Sequence, residues 1–150
     1  MAEMTDEERD AFLLERRLGV IAIGRPGRGP LTAAIWFRYV DGVIEVLMGD
    51  TSLKAKLLKA EGHASLAVVD GSYPYRTVTV EGPVDITVLG DDTHDTLLTM
   101  ATRYLGEAAG RAYTTDFMAK LAAEDWGGHG TTEIRVRITP ARWRTEVLGR

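Results

Sequence analysis

Two neighbouring apolar runs near the start of the chain predict a β-hairpin. Residues 31–40 and 43–49 are rich in β-branched and aromatic side chains, and an Asp-Gly pair at 41–42 separates them. Such a pair favours a tight turn because glycine accepts a positive φ without steric cost. Beyond the second run, the spacing of residues 53–59 becomes helical. The leucines fall on one side of the predicted helix, and the lysines are distributed over its other sides. The pattern therefore predicts a strand that leads directly into a short basic helix.

The remaining pattern predicts a mainly β domain with helices, of the α+β class. Helical spacing covers 6–16, 91–105 and 108–123, and strand-like patterns cover 18–23, 64–70, 75–88, 131–138 and 142–148. The run over 75–88 is long, and Gly82-Pro83 in its middle predicts a bulge or bend, as where a barrel turns a corner. With about seven strands and three or four helices, the order of elements favours a barrel with appended helices over regular βαβ alternation.

Composition limits the classes of protein to which the chain can belong. A length of 150 residues with 45% hydrophobic content predicts a single domain, with an N-terminal helix in 1–16 and the barrel with its helices in 17–148. The net charge of -4 argues against a general attraction to nucleic acid or to an anionic membrane. The absence of cysteine excludes disulfides and thiolate chemistry. Because the acidic N-terminus has no apolar core and no run is long enough to span a membrane, we expect a cytoplasmic protein.

The histidines give little support to a metal site. His63, His94 and His129 lie far apart, with no carboxylate or second histidine at ligand spacing. The first two are interpreted as surface residues, because one follows a predicted helix and the other lies in the first turn of one. His129, close to Trp126 in a glycine-rich segment, is the histidine we would test as a ligand. The serines lack the context of a nucleophile elbow.

The basic helix is the strongest candidate for a ligand site. Lys54, Lys56 and Lys59 are three of the four lysines in the chain and lie within six residues of one another. Asp50, Thr51 or Ser52 can cap this helix, and its first N–H groups together with the ammonium groups would suit an anion such as a phosphate. The alternative is that the lysines form a solvated helix face.

Trp36 and Phe37 are adjacent in a predicted strand, so their side chains should point to opposite faces. We expect one of them in the core. The other can be core as well, or can face a partner subunit or a flat ligand.

A set of short motifs in a fixed order resembles a known superfamily. The motifs are Ala33-Ala-Ile-Trp-Phe37, Asp41-Gly42, Thr51-Ser-Leu-Lys-Ala-Lys56, Ala64-Ser-Leu-Ala-Val68, Pro74-Tyr-Arg-Thr-Val-Thr-Val-Glu-Gly82, Arg103-Tyr-Leu-Gly106 and Ile138-Thr-Pro-Ala-Arg-Trp143. Together they resemble the pyridoxamine 5'-phosphate oxidase-like split β-barrel superfamily. Within it they are similar to the flavin/deazaflavin oxidoreductase B group, many of whose members use coenzyme F420. The resemblance implies an FMN-binding-like split barrel.

The resemblance also implies a homodimer that holds the cofactor at the subunit interface. The cofactor would be F420, with FMN as the alternative and haem as a less favoured one. The implied binding residues are Ala34, Ile35 and Trp36 on one strand, Met48 and Gly49 on the next, Thr51, Ser52, Lys54 and Lys56 at the basic helix, and Arg76 and Thr77 on the long strand. Lys54 matches the phosphate-binding lysine of the family, and Lys56 matches a second basic position.

The chain departs from the family pattern at three positions. Ser52 stands where an arginine is frequent, Leu58 where an asparagine is common, and Thr77 where relatives that bind FMN can carry a glutamine. The implied activity is transfer of a hydride between the deazaflavin or flavin and a small organic acceptor, with no dedicated catalytic side chain. The alternative function is a non-catalytic protein of the same fold that binds the deazaflavin, a haem or a bilin, with His63 or His129 as the iron ligand.

Overall fold

A computed structural model describes residues 2–124 and 132–149 and shows eight strands and four helices in these ranges. In chain order the elements are α1 (Asp6–Leu14), β1 (Gly19–Arg25), β2 (Arg28–Ile35), β3 (Arg38–Val40), β4 (Val43–Gly49), α2 (Leu53–Glu61), β5 (His63–Asp70), β6 (Tyr75–Val88), α3 (Thr93–Leu105), α4 (Glu107–Ala122), β7 (Glu133–Ile138) and β8 (Arg142–Leu148). The α+β class is confirmed, and the helices and strands follow the predicted order except that four strands, not three, precede α2.

The strands form one antiparallel sheet that turns back on itself around β6. Its order is β2-β1-β5-β6-β7-β4-β3, and β8 pairs with the other edge of β6. The first part of β6, up to Pro83, pairs with β5, and its last part, from Val84, pairs with β7. The predicted bend at Gly82-Pro83 is therefore the point at which β6 passes from one half of the barrel to the other.

Gly82 is required at this crossing because another segment of backbone lies against it. A Cβ at position 82 would lie 1.8 Å from the carbonyl oxygen of Thr139. The same segment is held by hydrogen bonds, since Thr139 N–H donates to Pro83 O at 3.0 Å and Ala141 N–H donates to Glu81 O at 2.9 Å. No side chain fits between two backbones held at this distance.

The main core lies between the two halves of the barrel and includes one face of α2. Alternate residues of the strands point inward, as their two-residue period requires. Ala55 and Leu58 of α2 are both fully buried against them. Leu58 is therefore a core residue, which gives a structural reason for an apolar side chain where the resemblance leads one to look for asparagine.

The single strand predicted over residues 31–40 is wrong, because the chain leaves the ladder at Trp36 and Phe37. Phe37 turns into the core and is 0% exposed. Its N–H donates to the hydroxyl oxygen of Tyr104 at 2.9 Å, and this hydroxyl donates to Arg17 O at 2.7 Å. A side chain from the end of α3 thus replaces the ladder bond at the break. The break divides the predicted strand into β2 and β3, so eight strands are present in the described ranges where seven were expected.

The helices α1 and α3 are joined by an arginine. The Arg103 guanidinium donates to the carbonyl oxygens of Leu14 at 3.0 Å and Glu15 at 3.0 Å, which lie at the C-terminal end of α1. Cationic donors at this end of a helix satisfy carbonyls that have no partner inside the helix. The helix ends at Leu14, two residues before the predicted end. Within the described ranges, none of the helices has both the length and the apolar character needed to cross a membrane.

Substitution of Gly82 by alanine should strongly destabilise the protein, because the new Cβ would displace the backbone at Thr139. Urea unfolding should show a loss of at least about 2 kcal/mol in the free energy of unfolding. Gly71→Ala is the matched control, since nothing lies within 4 Å of a Cβ at that position. Equal stability of the two variants would contradict the close approach at the crossing.

Candidate functional site

One cavity lies where the ends of β2 and β4 meet the start of α2, with α3 and α4 on its far side. Its volume is about 350 Å³. The cavity is lined by Leu18, Ala34, Ile35, Trp36, Leu47, Met48, Gly49, Ser52, Lys54, Leu97, Met100, Tyr113, Phe117 and Glu133. Most of these side chains are apolar or aromatic, and few are polar. Such a distribution is typical of sites that bind small organic molecules.

The polar end of the cavity is the first turn of α2. Ser52 is the N-cap residue, and its hydroxyl accepts a hydrogen bond from Ala55 N–H at 3.2 Å. Lys54 lies in the same turn and lines the cavity. The positive end of the helix dipole and the ammonium group therefore act on the same space.

Lys59 and Lys56 do not belong to this lining. The Lys59 ammonium donates to the Asp50 carboxylate at 2.6 Å and to Asp50 O at 3.2 Å, which ties the end of β4 to α2. Lys56 is exposed on another side of the helix. Within the described part of the chain, Lys54 is thus the only basic residue lining the cavity.

Another part of the cavity wall is aromatic. The ring of Trp36 stacks on Tyr104 with a centroid distance of 5.0 Å and an interplanar angle of 6°. Tyr113 contacts the same indole at 5.1 Å, and Phe117 lies 6.0 Å from Tyr113. Trp36 is therefore the residue of the adjacent pair that faces the cavity, whereas Phe37 belongs to the core.

Glu133 brings a buried carboxyl to the cavity wall. It is the first residue of β7, lies opposite Gly49 of β4 and is only 2% exposed. Burial raises the pKa of this carboxyl from its ordinary 4.5 to about 8, and the Lys54 ammonium acts in the opposite direction. Burial also raises the pKa of Tyr113, with smaller contributions from Glu133 and Asp116.

Seven of the residues implied by the resemblance line this one cavity: Ala34, Ile35, Trp36, Met48, Gly49, Ser52 and Lys54. Thr51 and Lys56 are exposed nearby and do not line it. Arg76 lies elsewhere, paired with Asp70 at 2.6 Å and placed 5.0 Å from the ring of Phe12. Thr77 also lies away from the cavity, on the outer face of the sheet. The binding role of all these residues stays a prediction.

Several lining residues were not predicted. Tyr113 and Phe117 are four residues apart on α4, a spacing that indicates only that they share a face of the helix. Glu133 begins a strand in which Glu133 and Ile134 are both buried, so the expected alternation fails at this end. The one signal in the sequence was an acidic residue at the start of a predicted strand. A carboxyl that is buried in such a place needs a special environment.

The histidines of the described residues do not contribute to this cavity. His63 is exposed at the start of β5. His94 is exposed on α3, with its Nδ1 atom 2.9 Å from the Asp95 carboxylate. His129 lies outside the described residues. In residues 2–124 and 132–149, no group of three or more histidine, aspartate or glutamate side chains is placed to hold a metal ion.

No protein-family model and no curated protein matches this chain, whereas many solved structures do. The protein Rv2991 from Mycobacterium tuberculosis is 24% identical, with a TM-score of 0.74 over 96% of this chain and 85% of that one. A structure named F420 reductase is 21% identical, with a TM-score of 0.65 over 90% and 94%. A protein provisionally described as a pyridoxamine 5'-phosphate oxidase from Listeria innocua is 13% identical, with a TM-score of 0.59 over 93% and 95%.

The fold is the pyridoxamine 5'-phosphate oxidase-like split barrel. The fold expected from the motifs is thereby confirmed. In this split barrel, the cavity joins the strand break at Trp36 to the first turn of α2. Because the identities are below 25%, the comparisons establish the fold alone.

The raised pKa of Glu133 predicts a specific pH dependence of stability. The native protein retains the proton up to about pH 8, whereas the unfolded chain releases it near pH 4.5. The contribution of Glu133 to the free energy of unfolding therefore falls as the pH rises from about 4.5 to about 8. The loss should reach at most about 1.4 kcal/mol per pH unit. Between pH 5 and pH 8, the free energy of unfolding measured with denaturant should fall more steeply for the wild type than for Glu133→Gln. Parallel pH profiles of the two proteins would show that the carboxyl titrates normally.

Proposed function

We propose that this split barrel binds a phosphate-bearing deazaflavin or flavin, coenzyme F420 with FMN as the alternative, and transfers a hydride between it and a small organic acceptor. The observation that carries the proposal is the composition of the cavity wall. One cavity is lined both by a cation in the first turn of a helix, Lys54, and by an aromatic cluster around Trp36.

The ring end of the cavity suits a flat polar heterocycle. Trp36 and Tyr113 supply aromatic surface, and Ala34 and Gly49 supply strand backbone with little or no side chain. The chain contains no asparagine and no glutamine. Polar atoms of a bound ring would therefore be recognised largely by the N–H and C=O groups of the strand ends.

The first turn of α2 suits a phosphate. Lys54 provides a point charge, and the N-terminus of α2 provides a favourable dipole. Ser52 is occupied as the N-cap of this helix, so its position in place of an arginine has a structural role. Lys54 is then the principal cationic contact of the phosphate within one protomer.

When bound, the cofactor would supply the hydride chemistry, and the protein would supply position and surroundings. Trp36 would fix the plane of the ring, and the apolar side chains of α3 and α4, including Leu97 and Met100, would keep water from the reacting face. Holding the two reactants close together in the correct orientation lowers the activation barrier of the transfer without any acid or base from the protein. The shared fold of the structure named F420 reductase supports this class of cofactor.

We also propose that the functional unit is a homodimer. The outer face of β2, β1, β5 and β6 carries small or apolar side chains that are exposed or half-buried in one protomer: Val20, Ala34, Ala67, Val69, Thr77 and Thr79. Charged side chains follow on the neighbouring strand β8, among them Arg144 and Glu146. An uncharged centre with a charged rim is typical of a surface that pairs with another protein.

This outer face is continuous with the cavity, because Ala34 belongs to both. A second copy on this face would close the mouth of the cavity. It would also bring a partner surface that includes Thr77 next to a cofactor held in the cavity. Completion of the site by the partner is the chemical reason to infer a second copy of this chain.

Replacement of Lys54 by alanine should weaken binding of the cofactor by about 1.5–3 kcal/mol, the scale of a hydrogen bond to a charged group. Equilibrium dialysis against F420 and FMN should show a roughly tenfold to 100-fold rise in Kd. Lys120→Ala is the control, because that lysine lies on α4 and pairs with Asp116 at 3.1 Å. Wild-type protein that binds neither compound at micromolar concentration would contradict the proposed function. An unchanged Kd in Lys54→Ala would place the phosphate elsewhere.

A charge placed at the centre of the outer face should separate the two copies. Val20 is 42% exposed there, so Val20→Glu should shift the molar mass measured by light scattering from dimer to monomer and should also weaken cofactor binding. Val88→Glu is the matched control, because Val88 is 61% exposed at the far end of β6, beyond the crossing. A wild-type protein that is monomeric at tens of micromolar would contradict the dimer.

A further inference from the structure

The cavity contains one acid as well as one base. Among the described residues, Glu133 is the only acidic side chain lining it, and Lys54 is the only basic one. The carboxyl is 2% exposed, yet it borders a space that can hold a ligand. Buried carboxyl groups in clefts are frequent at functional sites. The proposed hydride transfer leaves this acid without a role.

Burial, and not a neighbouring charge, favours the protonated form of the Glu133 carboxyl. Lys54 on α2 is the cation that acts on it, and Tyr113 on α4 is the titratable group on which it acts. The nearest backbone of β4 is that of Gly49, and Leu89 N–H donates to Glu133 O at 3.0 Å. The cavity residues contributed by α3, Leu97 and Met100, carry no charge. Among the described groups, burial opposes the Lys54 ammonium, and burial is the stronger effect.

The protonation state of Glu133 changes the net charge of the cavity lining by one unit. With the carboxyl protonated, the lining residues that the structure describes carry the single positive charge of Lys54. With the carboxyl ionised, these two charges cancel, and an incoming phosphate would meet a carboxylate in a poorly solvated space. Like charges repel most strongly where water is scarce.

We propose that Glu133 is the proton-carrying residue of the anion site: a phosphate binds beside Lys54 only while the Glu133 carboxyl is protonated, so binding takes up one proton when the free protein has lost it. The inference rests on the proposed function, because it assumes that the phosphate lies at Lys54. It assigns to Glu133 a role in specificity, since ligands without the phosphate have no reason to depend on its proton.

The proposal predicts the direction in which phosphate binding depends on pH. Below about pH 8 the free protein already holds the proton, and phosphate binding should change little with pH. Above about pH 8 the proton must be taken from solvent, so Kd should rise by up to about tenfold per pH unit. The pH range from 7 to 9 avoids the second ionisation of a phosphate monoester, which lies near about pH 6.

The test is calorimetric titration with F420 and FMN at pH 7, 8 and 9, each in two buffers that differ in ionisation enthalpy. Wild-type protein should take up close to one proton per bound ligand at pH 9 and close to none at pH 7. Riboflavin and the phosphate-free deazaflavin core of F420 are the matched ligands. They should show no uptake linked to Glu133 at either pH.

Glu133→Gln keeps the size and a hydrogen-bond donor but cannot titrate, so its Kd should be independent of pH between 7 and 9 and its proton uptake should vanish. Glu107→Gln, which removes an exposed carboxylate at the start of α4, should behave as wild type. The proton uptake of the wild type tests the proposal even if Glu133→Gln folds poorly.

Two outcomes would overturn the inference, and they differ in what else they overturn. Binding of F420 or FMN with no proton uptake at pH 9, or with the same uptake for the phosphate-free ligands, removes the role of Glu133 and leaves the proposed cofactor intact. Failure of both cofactors to bind at any pH removes the cofactor and the role of Glu133 together.

Discussion

The hydroxyl of Tyr104 is the contact on which the architecture of the cavity depends. It accepts from Phe37 N–H at 2.9 Å and donates to Arg17 O at 2.7 Å, so it supplies the bonds lost where β2 breaks from β3. Because the break is held open, Phe37 can enter the core while Trp36 faces the cavity and stacks on the same tyrosine. One side chain thus links the end of α3, the strand break and the aromatic wall. A continuous strand would place Trp36 in a regular ladder without this support.

Local sequence patterns were sufficient to predict most of the fold. The Asp-Gly turn before β4, the start of α2 and the bend in β6 each follow from a few adjacent residues, and the structure confirms them. The break at Trp36 could not be predicted in this way, because the residue that stabilises it, Tyr104, is 67 positions from Phe37. Patterns of local hydrophobicity contain no information on such a distant partner.

The same division holds for the candidate site. The resemblance implied the residues from the strand ends and α2, including Gly49 and Lys54, because each of its motifs is a contiguous stretch of the chain. Tyr113 and Glu133 were missed, since only folding brings α4 and the start of β7 to the cavity. The consequence is chemical: the sequence motifs indicate a cation for the phosphate, whereas the fold adds a buried acid that can modulate this charge.

The position of the cofactor phosphate is the most direct measure of this account. A crystal structure of the protein with F420 bound, in which the anomalous signal of phosphorus marks the phosphate, would locate it without reference to any model of the site. The account predicts phosphorus next to the Lys54 ammonium, with a phosphate oxygen about 2.7–3.2 Å from Nζ, and the deazaflavin ring beside Trp36. A phosphorus peak elsewhere on the protein, with the Lys54 ammonium directed to solvent, would contradict it.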